Sequence, residues 1–198
     1  MTHDKTYEAY KVVTPGIELP VTLELVRMHL RNEDLRADDD LVRAYIRTAA
    51  ATVERTYGLA LIEQTIDQYH SAFPANSDQP VLLRVAPLIS ITSVTYVDSA
   101  GDTQTWDADE YTTGRINGQQ VIVPKIGYTY PSGLTTRPNA VTITYKAGFG
   151  LGADSVPNDI RSALLLMVGH LYENREDPPN TLPRASEALL HPWYRFSA

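Results

Sequence analysis

The sequence predicts an α+β fold in which helices flank a block of short strands. Three observations carry that reading. Apolar residues recur at three- and four-residue spacing over 41–57 and again over 160–171. Between 61 and 145, β-branched and aromatic residues alternate instead. The strand-like stretches form one run rather than alternating with helices, which argues against a doubly wound parallel sheet. The expected architecture is therefore a long-helix bundle, with helices at about 22–31, 39–57 and 157–174. A small antiparallel β subdomain is inserted at about 61–145, and an extended C-terminal tail follows. In domain terms, 1–20 reads as an N-terminal arm, 21–177 as a single helical domain carrying the β insertion, and 178–198 as a docking tail.

Each element has its own justification. Residues 1–20 contain Pro15, Gly16 and Pro20 with scattered charge and no period. Thr22 can cap the free N–H groups of a short helix whose apolar face is Leu23, Val26 and Leu30. Asp38, Asp39 and Asp40 precede the best helix, where acids suit the N-terminal end of the helix dipole. Arg55 suits its other end, and Gly58 stands where a left-handed cap is wanted. Strands are expected at 65–73, 81–85, 89–97, 103–106, 120–123 and 141–145, with a hairpin turn over Ser99, Ala100, Gly101 and Asp102. The alternation of Val141, Ile143 and Tyr145 with Thr142 and Thr144 gives the last strand one wet face, and 125–139 reads as a long loop. Pro157 suits the first position of a helix. That helix carries Ile160, Ala163, Leu164, Met167, Val168 and Leu171, with Leu165 and Leu166 widening the stripe. Pro178 and Pro179 stop it.

Composition narrows the function classes. The chain has 198 residues, 43% of them hydrophobic, which is enough for a packed core. Its net charge of −7 opposes binding to nucleic-acid phosphates. Without cysteine there are no disulfides or thiolate metal sites. No apolar run reaches the ~18–20 residues of a membrane span, and the first residues lack the apolar stretch of a signal peptide. The expectation is a soluble chain folded in a cytoplasm.

Motifs for chemistry are weak. Gly148–x–Gly150–x–x–Ala153 matches a dinucleotide-binding fingerprint. However, no second parallel strand follows, no acidic residue stands about 20 positions on, and Val156 and Pro157 separate the glycines from the helix. A strand-to-helix corner is the better reading. The aspartates at 38–40 lack the spacing of a calcium loop. His3, His29, His70, His170 and His191 have no partners at metal-ligand spacing, though His70 or His170 could join carboxylates in a hydrolase cleft. No catalytic residue, cofactor site or metal site is assigned. The tail places Leu189, Leu190, Trp193, Tyr194, Arg195 and Phe196 close together. Two readings stand side by side: it folds back on its own core, or its aromatics anchor in a partner.

Val21–Arg31, Asp39–Val42 with Val53–Leu61, Ile91–Asp98, Val156–Leu166 and His170–Glu176 together span roughly 20–192. In that order and spacing they resemble the head–tail connector (adaptor) proteins of long-tailed bacteriophages and gene transfer agents. Residues 1–20 and 124–139 match nothing in that pattern. The resemblance implies a structural, non-enzymatic subunit of the virion neck, assembled in the host cytoplasm. It implies a ring of typically twelve copies under the portal protein, joined below to a stopper or tail-completion protein, with packaged DNA passing through the lumen and no membrane partner. A stopper protein of the same machine is the alternative, and a hydrolase or carbohydrate-active protein a more distant one. From the residues themselves, Leu189, Leu190, Trp193, Tyr194, Arg195 and Phe196 are expected at the portal, and Tyr45, Arg161, Leu165 and Leu166 between neighbouring copies. Removing 178–198 is expected to leave a folded chain that no longer docks.

Overall fold

The structure, a computed structural model, describes residues 9–31, 38–175 and 183–194. The described residues form a mixed α/β fold with four α-helices and two antiparallel sheets. The chain divides into two compact units. One joins the N-terminal strand to Gln64–Ala147, and the other joins Gly16–Glu63 to Gly148 onward.

The helical unit contains α1 (Leu23–Leu30), α2 (Asp39–Tyr57), α3 (Asn158–Glu173) and α4 (Arg184–Leu190). Its core draws Val26 from α1, then Val42, Ile46, Ala49 and Val53 from α2, and Ile160, Ala163, Leu164 and Val168 from α3. These are the residues whose spacing predicts the helices. Thr22 caps α1 as expected, its hydroxyl accepting from the Leu25 amide at 3.2 Å. Gly58 ends α2 at φ 62°, a conformation that costs a residue without Cβ least. The aspartates before α2 act differently from caps. Asp38 accepts from the Tyr172 hydroxyl at 3.2 Å and pairs with Arg175 at 3.0 Å, joining the start of α2 to the end of α3. Asp39 takes Arg27 Nη2 on both oxygens, at 2.5 and 2.6 Å, joining α2 to α1. Pro157 sits one place earlier than expected, in extended backbone before Asn158, and its carbonyl accepts from Arg161.

Two expectations are corrected here. The chain is not a long-helix bundle: only α2 and α3 exceed two turns and a half, and strands take up much of the remaining chain. Nor is the described tail extended. Arg184–Leu190 is helical and a 3-10 turn, His191–Trp193, follows. Leu190 is wholly buried, which gives this segment a reason to coil against its own core.

The glycine-rich stretch is a close-packed corner. A Cβ on Gly148, at φ 142°, would lie 2.7 Å from the backbone N and Cα of Glu63. The Glu63 amide in turn donates to the Gly150 carbonyl at 2.7 Å. These glycines let two chain segments meet, which gives them a structural role at a strand-to-helix corner. Gly148→Ala is expected to cost about 3 kcal/mol or more, because backbone rather than a side-chain tip would have to move. Urea denaturation of the variant checks this, and an unchanged midpoint would refute it.

The β unit has a five-stranded sheet in the order β1-β2-β8-β4-β5 and a three-stranded sheet in the order β3-β7-β6. The strands are β1 (Ala9–Thr14), β2 (Gln64–His70), β3 (Val81–Leu82), β4 (Leu88–Val97), β5 (Thr103–Thr105), β6 (Tyr111–Ile116), β7 (Gln119–Pro124) and β8 (Val141–Ala147). Central β8 buries Val141, Ile143 and Tyr145 and leaves Thr142 and Thr144 half-buried, the predicted alternation. The 99–102 turn also forms; Asp98 accepts from the Ala100 and Asp102 amides, both at 2.9 Å, and from Gln104. Residues 9–14, read from sequence as part of an arm, pair with β2 as β1. β6 was not expected; it meets β7 through Asn117 and Gly118, at φ 50° and 80°, the left-handed pair of a type I′ turn.

Phe73, Trp106 and Tyr130 pack together in this unit, ring centroids 5.3–5.4 Å apart. Burial pushes the Tyr130 phenol from 10.0 up to about 12. Below pH 10 the phenol is neutral whether the chain is folded or not. Between 10 and 12 the unfolded chain alone releases the proton, so stability falls as pH rises across that window. The unfolding midpoint in urea should drop over this range, and Tyr130→Phe should flatten the decline. An equally steep decline in the variant would exclude Tyr130 as its source.

Candidate functional site

The residues expected to carry function lie on α2, α3 and the C-terminal segment of the helical unit. α4 packs along α3. The Ser186 hydroxyl, buried, donates to the Ala163 carbonyl at 3.2 Å, and Leu190 fills the core. Leu189 and Trp193 are partly buried against the same core. Trp193 is fixed by two contacts: its indole N–H donates to Asp159 Oδ2 at 2.7 Å, and its ring meets Phe149 edge-on at 5.3 Å. Asp159 stands in the first turn of α3, where its charge suits the helix dipole. It also accepts from its neighbour's amide and orients this indole.

Of the six residues expected at a partner, Leu190 is thus committed to its own core. Leu189 and Trp193 present only part of their surface, and Tyr194 is 55% exposed with an edge contact to Tyr57 at 6.3 Å. Arg195 and Phe196 lie outside the described residues. Burial and the nearby Glu187 and Tyr194 hold the Tyr57 phenol above its usual range.

The four residues expected between copies lie on two helices, Tyr45 on α2 and Arg161, Leu165 and Leu166 on α3. Tyr45 and Leu165 are half-buried and pack on the helical core. Leu166 is half-buried on α3. Arg161 hydrogen-bonds Asn158 and lies 3.6 Å from Asp154. It also lines a cleft of about 240 Å³ bounded by Val21, Leu25, Met28 and Ala153, which the sequence did not single out.

His70 is buried in β2, 2.9 Å from the Gln68 amide nitrogen, and the His170 ring faces Asn174 at 3.3 Å. No cluster of three metal-ligating side chains occurs among the described residues. No helix among them is long and apolar enough to cross a membrane.

No family model and no curated protein matches the chain. Solved structures do, over nearly its whole length. The fold is similar to that of a chain in the neck of an empty gene transfer agent particle, computed with C6 symmetry. The TM-score is 0.78 at 25% identity, covering 96% of this chain and 97% of that one. It is similar to a chain in the virion of a native gene transfer agent particle, with a TM-score of 0.79, 26% identity and 96% of both chains covered. A chain in the neck of a native particle, computed with C12 symmetry, gives a TM-score of 0.74 at 25% identity over 96% and 97%. The fold of this chain is thus similar, end to end, to that of chains in gene transfer agent necks.

Proposed function

We propose that this chain is a structural adaptor of the head–tail junction, in a phage or gene transfer agent particle. The observation that carries the reading is the end-to-end likeness to chains of particle necks computed with C6 and C12 symmetry. Both units and their connections are covered, so the likeness extends beyond one common motif. Copies of the chain form a closed ring of twelve between the portal protein and the stopper, and DNA passes through the lumen; the C6 and C12 symmetries of the similar necks support a ring. A net charge of −7 suits that passage, since an acidic wall does not hold phosphates. The role requires no catalysis.

In this reading Tyr194 and the exposed surfaces of Leu189 and Trp193 meet the portal, with Arg195 and Phe196 beyond them. Tyr45, Arg161, Leu165 and Leu166 belong to the surfaces that meet neighbouring copies.

Cryo-EM of the chain mixed with the portal protein encoded beside it tests the role. A ring of this chain stacked on the portal, with 189–196 at the contact, is the expected result. A ring one layer further from the portal would make it the stopper. A chain that binds no neck component would end the structural reading.

A further inference from the structure

Lys125, Ile126, Gly127 and Tyr128 form a tight turn in the β unit. The Tyr128 amide donates to the Lys125 carbonyl at 2.9 Å, and Gly127, at φ 90°, supplies the positive φ needed at its third position. The turn is fastened on both sides. The Lys125 amide donates to the Glu110 carbonyl at 2.8 Å, and buried Tyr130 donates its hydroxyl to the Gln79 carbonyl at 2.7 Å. Ile126 stands fully exposed at its tip, and Tyr128 is half exposed beside it. A single exposed apolar residue is ordinary. One held on a fastened turn is a preorganised anchor, because little freedom remains to be lost on docking.

The helical unit offers a different feature, the 240 Å³ cleft. Val21, Leu25, Met28 and Ala153 give it apolar surface, and Met28 is 68% exposed. Glu24 and Asp154 line it as well, both exposed. Arg161 lies 3.6 Å from Asp154, so the three charges leave the cleft with one net negative charge.

We infer that Ile126 of one copy seats in this cleft of the next copy, with Lys125 facing Glu24 and Asp154. The inference rests on the reading of the chain as a ring subunit. Turn and cleft are different surfaces of one chain, so their contact is heterologous, the kind that closes a ring. The basic residue flanking the knob opposes the acidic lining of the cleft, which fixes orientation, while apolar burial supplies the affinity.

The chain contains no cysteine, so Met28→Cys and Ile126→Cys introduce the only thiols, both at exposed positions. Assembled particles carrying the double variant are oxidised and run on a non-reducing gel. The expected product is a ladder of covalent oligomers of this chain, while particles mixed from the two single variants give dimers and either single variant alone gives none. Rings visible in the necks by cryo-EM without such cross-links would overturn the inference and leave the adaptor reading standing. So would a cross-link from Ile126→Cys, in a background where the partner carries a thiol, to another neck protein. Necks that contain no copies of the chain would overturn the adaptor reading and the inference with it. Ile126→Asp should lower the yield of rings at least about tenfold with an unchanged melting profile; an unaltered yield counts against the contact.

Discussion

Ending the chain after Arg175 is expected to destabilise the helical unit by about 5 kcal/mol, enough to leave it partly unfolded at room temperature. The deletion removes Leu190 and Ser186, both wholly buried, and uncovers the core surface under Leu189 and Trp193. Burying one leucine is worth about 1.5–3 kcal/mol, and the unfilled cavity adds to the loss. Asp159 also loses the indole it accepts from. This reverses the expectation that 178–198 can be removed without harm to the fold. Leu190→Ala isolates the largest part and should cost about 3 kcal/mol on its own. Near-UV circular dichroism and urea denaturation measure both. A truncated chain with the parent's unfolding midpoint would mean that α4 contributes nothing to the core it touches.

Gln68→Met should destabilise the β unit by about 3–5 kcal/mol, although methionine has nearly the same volume and greater hydrophobicity. Gln68 is 0% exposed, on the inner face of β2. Its amide nitrogen donates to the Leu82 carbonyl at 2.7 Å and reaches His70 Nε2 at 2.9 Å. Its oxygen accepts from the Arg84 amide at 2.9 Å and the Tyr145 hydroxyl at 3.2 Å, and that hydroxyl accepts from the Val85 amide at 3.1 Å. One side chain thus satisfies the Leu82 carbonyl and the Arg84 amide and holds the Tyr145 hydroxyl that serves Val85. Replacing it strands those groups away from water, and an unpaired buried group costs about 1–3 kcal/mol. Tyr145→Phe should cost less, about 1–2 kcal/mol, since only the Val85 amide loses its partner outright. Hydrogen exchange at Arg84 and Val85 should quicken in the Gln68 variant. Unchanged exchange would show that another group holds the stretch.

How much of this was legible depends on where each signal lies. α2 and α3 were readable almost to the residue, because their burial stripes lie in local periodicity and their ends in Asp39, Gly58 and Asn174. β8 was readable for the same reason at period two. β1 was not: Tyr10, Val12, Val13 and Thr14 favour a strand locally, but Pro15 and Gly16 follow at once and its partner, β2, lies more than fifty residues on. β6 exposes five of its six residues and contains Gly114, so its own pattern is faint. The Asn117–Gly118 turn after it was the available clue. The role of Gln68 could not be read at all: a glutamine between Asp67 and Tyr69 looks like the wet face of a strand until β8 and 82–85 are placed around it. Of the candidate site residues, Leu190 illustrates the same limit. Hydrophobicity marks a residue for burial but does not say against which surface, and here the chain's own α3 competes with any partner.

After β1 and the first helices, the chain returns to the β unit with β2 and leaves it again with β8, and Gln64 pairs with Ala147. The two points at which the polypeptide leaves and re-enters the helical unit are therefore neighbours across one antiparallel ladder. An intervening stretch whose ends stand side by side behaves as a cassette. It can be lengthened, shortened or exchanged without altering the span that Glu63 and Gly148 must bridge. Changes in the loops of the cassette, such as 125–139, and changes in the packing of α2 and α3 can then accumulate separately. A lineage built this way can retune what it grips while keeping the frame that carries the grip.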